Sequence, residues 1–305
     1  MKLLLTKGLL MMTILLSTAV VTAGAEPKNP VPSIGLALGS GGAAGLAHIA
    51  MLQVFDDLGI KPAKITGASI GAVIGGLYAA GQSAEEIREI FDEFGGSNLD
   101  MLSHLVLSDS ELKLDDLLKL DINNGGLIDS GGFLKFLSDK IDPRTFDDLE
   151  IPIEIVATDY WSGETVVLKQ GDLFQAIEAS MAVPGLFSPV QLDDRLLVDG
   201  GTTNPLPFDL LDGYDLVVAI DVTGSRSPGK EQQLNWTEAL FSTFEIMQQS
   251  LIASRIRTQK PDIYIKPDVG DIRLLHFNRI RTTLERSEPA AQELKQQLKD
   301  FLKDQ

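Results

Sequence analysis

Cysteine is absent from the 305 residues, which excludes disulfides, thiolate-bound metals, a cysteine nucleophile and a lipid-modified N-terminal cysteine. Histidine is nearly as scarce, limited to His48, His104 and His276, so chemistry that needs an imidazole base has few candidates. Cations are outnumbered: 26 Lys and Arg stand against 43 Asp and Glu, a net charge of −17. A chain of that sign lacks the clustered Lys and Arg that bind phosphate backbones, so no nucleic-acid partner is expected. It is equally unsuited to adsorb on an anionic membrane by charge, and any transient membrane or micelle contact has to use apolar surface.

Long apolar runs are missing except near the N-terminus, where Lys2 and Lys7 precede a stretch from Gly8 to Val21 that is followed by Ala23-Gly24-Ala25. Charged start, apolar centre and small-x-small end are the parts of a signal peptide, and the run is short for a retained membrane span. The expectation is a cleaved signal peptide over 1–25, a Pro-rich connector over 26–33, and an exported protein, periplasmic or secreted.

The full sequence is 44% apolar, enough to bury a full core. Ile34-Gly35-Leu36-Ala37-Leu38 reads as a strand, Gly39-Ser40-Gly41-Gly42 as a loop, and Ala43 to Leu58 as an amphipathic helix closed by Gly59. A second βα unit follows, with Lys64-Ile65-Thr66 running into Gly67-Ala68-Ser69-Ile70-Gly71 and a helix of small and apolar residues to Ala80. Ser83 and Glu86 have capping-box spacing at the start of a helix to about Phe94. Residues 98–146 show no strand pattern and suggest a helical insertion or cap. Strands resume at 151–159, 164–168, 195–198 and 216–220, with a helix over 172–180. Residues 223–305 read as a C-terminal helical extension on the same domain, with helices at 232–260 and 290–302 and a short strand at 262–265. Unbroken apolar strands alternating with helices specify an α/β fold whose sheet is covered on both faces.

The pentapeptide Gly67-Ala68-Ser69-Ile70-Gly71 has the form of a nucleophile elbow, in which a strained strand-to-helix turn lifts the serine out of the sheet and flanking glycines avoid clashes. The amides opening the next helix then favour a developing oxyanion. The glycine loop can add to this, since its unhindered N–H groups can converge on an anion. Gly39, Gly41 and Ala44 also satisfy a dinucleotide fingerprint, but that reading needs an acid at the end of the second strand, where Gly67 and Ser69 stand instead.

For the base, two assignments stay open. Asp199 ends a strand and is followed by Gly200-Gly201, which would free its carboxylate at the sheet's carboxyl edge beside Ser69. His276 would complete a Ser69, Asp199, His276 triad in α/β-hydrolase order. Asp199 acting directly needs apolar surroundings that raise its basicity. Asp121-Ile122-Asn123-Asn124-Gly125-Gly126 has a calcium-loop flavour, yet its twelfth position would be Gly132, not an acid.

Taken together, Gly39-Ser40-Gly41-Gly42, Gly67-Ala68-Ser69-Ile70-Gly71 and Asp199-Gly200-Gly201 resemble the three motifs of patatin-like phospholipases, in their order. Ala157-Thr158-Asp159, Ala179 to Pro189 and Val198 to Pro207 are similar to the bacterial branch related to the catalytic domain of neuropathy target esterase. The resemblance covers about Ile34 to Val222. It implies a three-layer α/β/α fold with a central, mostly parallel sheet, and a Ser69–Asp199 dyad with an oxyanion hole at Gly39, Ser40, Gly41 and Gly42. It further implies no metal or cofactor, and hydrolysis of acyl esters of phospholipids, lysophospholipids or neutral lipids. One departure is Ala44, where many members carry Arg or Lys in the loop.

Overall fold

The computed structural model describes residues 32–97, 130–224, 236–270, 272, 274 and 276–304. The expected signal peptide, most of the connector, the 98–129 part of the insertion, the 121–126 loop and His104 lie outside the described residues.

Eight strands form one sheet: β1 (Ile34–Leu38), β2 (Lys64–Ala68), β3 (Ile153–Asp159), β4 (Thr165–Leu168), β5 (Val190–Leu192), β6 (Arg195–Asp199), β7 (Leu216–Ile220) and β8 (Ile263–Ile265). Their order is β5-β6-β3-β2-β1-β7-β8, with β4 also paired to β3. Strands β3, β2, β1, β7 and β8 run parallel, while β4, β5 and β6 are antiparallel to their neighbours. The helices are α1 (Ala47–Leu58), α2 (Ile70–Ala79), α3 (Ala84–Ser97), α4 (Gly131–Ser138), α5 (Leu173–Met181), α6 (Trp236–Thr258) and α7 (Ile280–Lys303).

The period-two alternation of β1 decides which helices cover which face. Ile34, Leu36 and Leu38 point into the main core with α1, α2, α3, α5 and α7. Ala37 and its β7 neighbour Ala219 point the other way, onto Leu206, Phe208, Leu211 and Ile252 of α6. Phe55 and Phe91 are fully buried in the main core, each contributing about 2–3 kcal/mol of burial. With no disulfide available, this core holds the chain together. Among the described residues no helix is long and apolar enough to cross a membrane.

The short caps match their sequence signals. Gly59 closes α1 in the left-handed region, and Ser83 and Glu86 exchange capping-box bonds, Ser83 N–H to Glu86 at 2.8 Å and Glu86 N–H to Ser83 at 3.3 Å. Three elements differ from expectation. The helix from Ala43 begins as a 3-10 turn, Gly42–Leu46, before α1. Strand β5 carries too few residues to show a pattern. The last helix starts at Ile280, ten residues early, and runs through Pro289. Pro289 forfeits one backbone bond, but the apolar stripe through Ile280, Ala290, Leu294 and Leu298 packs on α1 and outweighs it.

Candidate active site

Ser69 stands between the end of β2 and the first residue of α2 at φ 54, ψ −122, a conformation that costs a non-glycine residue about 1–3 kcal/mol. Surrounding bonds enforce it. Ser69 N–H donates to Ser180 Oγ at 2.9 Å, and the Ser180 hydroxyl donates in turn to Val156 O at 2.6 Å. The turn also demands bare backbone on both sides: a methyl on Gly71 would lie 2.1 Å from Leu38 O, and one on Gly67 would lie 2.7 Å from Gly71 O. Gly67 and Gly71 are therefore required for close approach. Ser180 is buried, and nothing in the sequence marked it as the support of the elbow beyond its place in the 179–189 motif.

The base candidate arrives by a route the sequence did not suggest. Asp199 does end a strand, but β6 is antiparallel to β3, so its carboxyl end points opposite to that of β2. Register brings the two together instead. Ala68 pairs with Val156, which aligns Ser69 with Ala157, and Ala157 pairs with Asp199. Serine and carboxylate thus share one row, at the ends of strands separated by β3 alone.

Asp199 is fully buried. Its Oδ1 accepts the Gly201 N–H at 2.7 Å, while no hydrogen bond of full geometry reaches Oδ2 among the described residues. Burial raises its pKa from 3.8 to about 7, against the opposing pull of the Ser69 hydroxyl and the Gly201 N–H. A carboxylate poised near neutrality beside a serine hydroxyl is suited to general-base work. Among the described residues, the groups that act on the Asp199 carboxyl are the Ser69 hydroxyl and the Gly201 N–H.

In the glycine loop the four expected oxyanion donors separate into two pairs. Gly39 N–H is bonded to Ile220 O at 3.0 Å and Ser40 N–H to Pro205 O at 2.8 Å, so neither amide can serve an oxyanion as arranged. Their bonds anchor the loop to the end of β7 and to the segment after Asp199. Ala43 N–H is bonded to Leu274 O at 2.8 Å, which leaves Gly41 and Gly42 as the loop's donors with no partner among the described residues. The Ile70 N–H, next after the serine, opens α2 and has no partner within that helix. Ala44 is buried in the core.

His48, fully buried on α1, fixes the loop from beneath. Its ring nitrogen Nε2 lies 2.8 Å from Gly39 O, and since a carbonyl can only accept, Nε2 carries the proton. Burial lowers its pKa to about 4, against the bond to Gly39 and the charge of Asp221, so the ring is neutral. No group of three or more His, Asp or Glu side chains among the described residues is placed to hold a metal ion.

The model of patatin-like phospholipases matches residues 36–212. An uncharacterized NTE family protein of Mycobacterium tuberculosis is 36% identical over 209 residues, covering 68% of this chain and 54% of that one. Patatin-like phospholipase domain-containing protein 6 of Homo sapiens is 31% identical over 194 residues, covering 62% of this chain and 13% of its own length. The chain therefore spans about half the length of the mycobacterial relative it matches. Among solved structures, VipD from Legionella pneumophila overlaps 88% of this chain and 67% of its own, at 16% identity and a TM-score of 0.49.

Proposed function

Because the chain belongs to the patatin-like phospholipase family, we propose that it hydrolyses lipid acyl esters, with Ser69 as nucleophile and Asp199 as general base. The observation that supports this most is the shared row of Ser69 and Asp199, with the Ser69 hydroxyl acting on a buried carboxyl whose Oδ2 has no full hydrogen bond among the described residues. Asp199 takes the hydroxyl proton as Ser69 Oγ attacks the acyl carbonyl. The new oxyanion is held by the Gly41 and Gly42 N–H groups and by Ile70 N–H. Collapse breaks the ester bond, and Asp199 returns the proton to the departing alcohol. In the second half Asp199 deprotonates water, which attacks the acyl-serine, and the fatty acid leaves as Ser69 regains its proton.

Substrates in this reading are phospholipids, lysophospholipids or neutral lipid esters. Ala44 supplies no cation for an anionic headgroup, which favours neutral esters. At a net charge of −17, transient contact with a membrane or micelle relies on apolar groups such as Trp161 and Tyr160 at the β3–β4 turn, 80% and 51% exposed. Export through a signal peptide over 1–25 completes the proposal, and N-terminal sequencing of the recovered protein tests it, with cleavage after Ala25 expected.

Labelling by a fluorophosphonate tests the chemistry. The wild type should label at Ser69, Asp199→Asn should lose ester hydrolysis, and His276→Ala should retain it. A folded wild-type protein that does not label would point to a lipid- or partner-binding role without turnover. Loss of hydrolysis only in the histidine variant would move the base to His276.

A further inference from the structure

Helix α6 lies beyond the family-matched segment 36–212, yet it reaches the centre of the site. Gln248 is 2% exposed, and its Nε2–H donates to the Ser40 hydroxyl at 2.9 Å across 208 residues of sequence. Both groups press on Gly201: a methyl there would sit 2.2 Å from Gln248 Nε2, 2.5 Å from Ser40 Oγ and 2.8 Å from Asp199 Oδ1. Two atoms at 2.2 Å and 2.8 Å from one point are at most 5.0 Å apart, so the amide lies close to the buried carboxylate.

We propose that Gln248 is a positioning residue for hydrolysis, joining the glycine loop to the segment that carries Asp199 so that the Gly41 and Gly42 N–H groups keep their place relative to the base. This inference rests on the dyad reading above. The Ser40 backbone is tied on one side to Pro205 O, and Gln248 satisfies its buried hydroxyl on the other. The helix is itself fastened to the segment after Asp199, because the Arg255 guanidinium bonds Asn204 and Asp209. Helix, loop and base segment therefore shift together or not at all. The choice of an amide also has a reason. A buried cation this close would stabilise the ionised carboxylate and weaken it as a base, whereas a second carboxylate would oppose its ionisation; a neutral amide holds geometry and leaves basicity alone.

The test uses the full chain, a p-nitrophenyl acyl ester, and the variants Gln248→Met, Gln248→Glu, Ser40→Ala and the Gln248→Met, Ser40→Ala double. Gln248→Met should lower kcat about 10- to 100-fold with KM within about twofold, the range expected when a positioning contact to the catalytic loop is lost. The double variant should be no slower than Ser40→Ala, because both changes break one contact. Gln248→Glu should move the acid limb of the kcat/KM profile to higher pH, because a carboxylate this close to Asp199 opposes its ionisation. A Gln248→Met kcat within twofold of wild type, multiplicative losses in the double variant, or an unmoved limb in Gln248→Glu overturns the proposal. If Gln248→Met fails to fold, Ser40→Ala carries the same test from the other side of the contact, with the same loss of kcat at little change in KM expected. Ser69→Ala separates the two levels: turnover surviving in it defeats the dyad itself, while Ser69-dependent turnover indifferent to Gln248 defeats this inference alone.

Discussion

Replacing Asp199 with asparagine should abolish turnover and, above pH 7, make the protein harder to unfold. The carboxyl has a pKa of about 7 in the folded protein against 3.8 when exposed, because burial disfavours its charge. The native state thus holds this proton more tightly than the unfolded chain does. Its contribution to stability is full below pH about 3.8 and is lost as pH rises through about 7. Some three units at about 1.4 kcal/mol each put the loss on the order of 4 kcal/mol. Asparagine keeps an Oδ1 that can accept the Gly201 N–H, has the same shape, and never ionises. The stability difference between variant and wild type should be near zero at pH 4 and grow to on the order of 4 kcal/mol at pH 8, a Tm rise of roughly 5–10 °C for a protein of this size. Thermal and urea unfolding of both proteins from pH 4 to 8.5 checks it, and comparison at each pH cancels every other titrating group. A variant less stable than wild type at pH 8, or a difference independent of pH, would refute the reasoning.

Three further outcomes are expected. The kcat/KM of the wild type should rise with pH along a single limb centred near 7, where Asp199 ionises, as read from ester hydrolysis between pH 5 and 9. Ser69→Gly and Ser69→Ala should both be inactive, but the glycine variant should be the more stable by about 1 kcal/mol in urea melts, since φ 54 strains alanine and not glycine. Gly71→Ala should destabilise by about 2–4 kcal/mol and lose hydrolysis together, because its methyl would meet Leu38 O at 2.1 Å; circular-dichroism melts beside ester turnover show whether the two losses coincide.

How much of this was legible in the sequence follows from the range of the interactions involved. The strand, glycine loop and helix from Ile34 to Leu58, and the elbow at Ser69, are written in residues close along the chain, so pattern and turn chemistry suffice to find them. Asp199 was also findable from the Gly-Gly that follows it, but not its direction of approach: the antiparallel sense of β6 is set by pairing with β3, some forty residues earlier. Ser180 supports Ser69 across 111 residues and Gln248 meets Ser40 across 208, and no local pattern encodes either contact. The glycine loop was half legible. Its glycines were plain, whereas the engagement of the Gly39 and Ser40 amides depends on Ile220 and Pro205. The early start of α7 was not legible for the opposite reason: Pro289, a local helix breaker, is overruled by packing against α1.

The opposed strands that carry Ser69 and Asp199 have a consequence for how activity comes into being. During synthesis the elbow leaves the ribosome about 130 residues ahead of the carboxylate, and strand β6 can dock only after β3 has formed its edge. On the proposed dyad reading the serine has no proton acceptor until then, and the nascent chain would be silent toward acyl esters. On that reading, competence would arrive only with closure of the sheet's antiparallel side, where β6 pairs with β3.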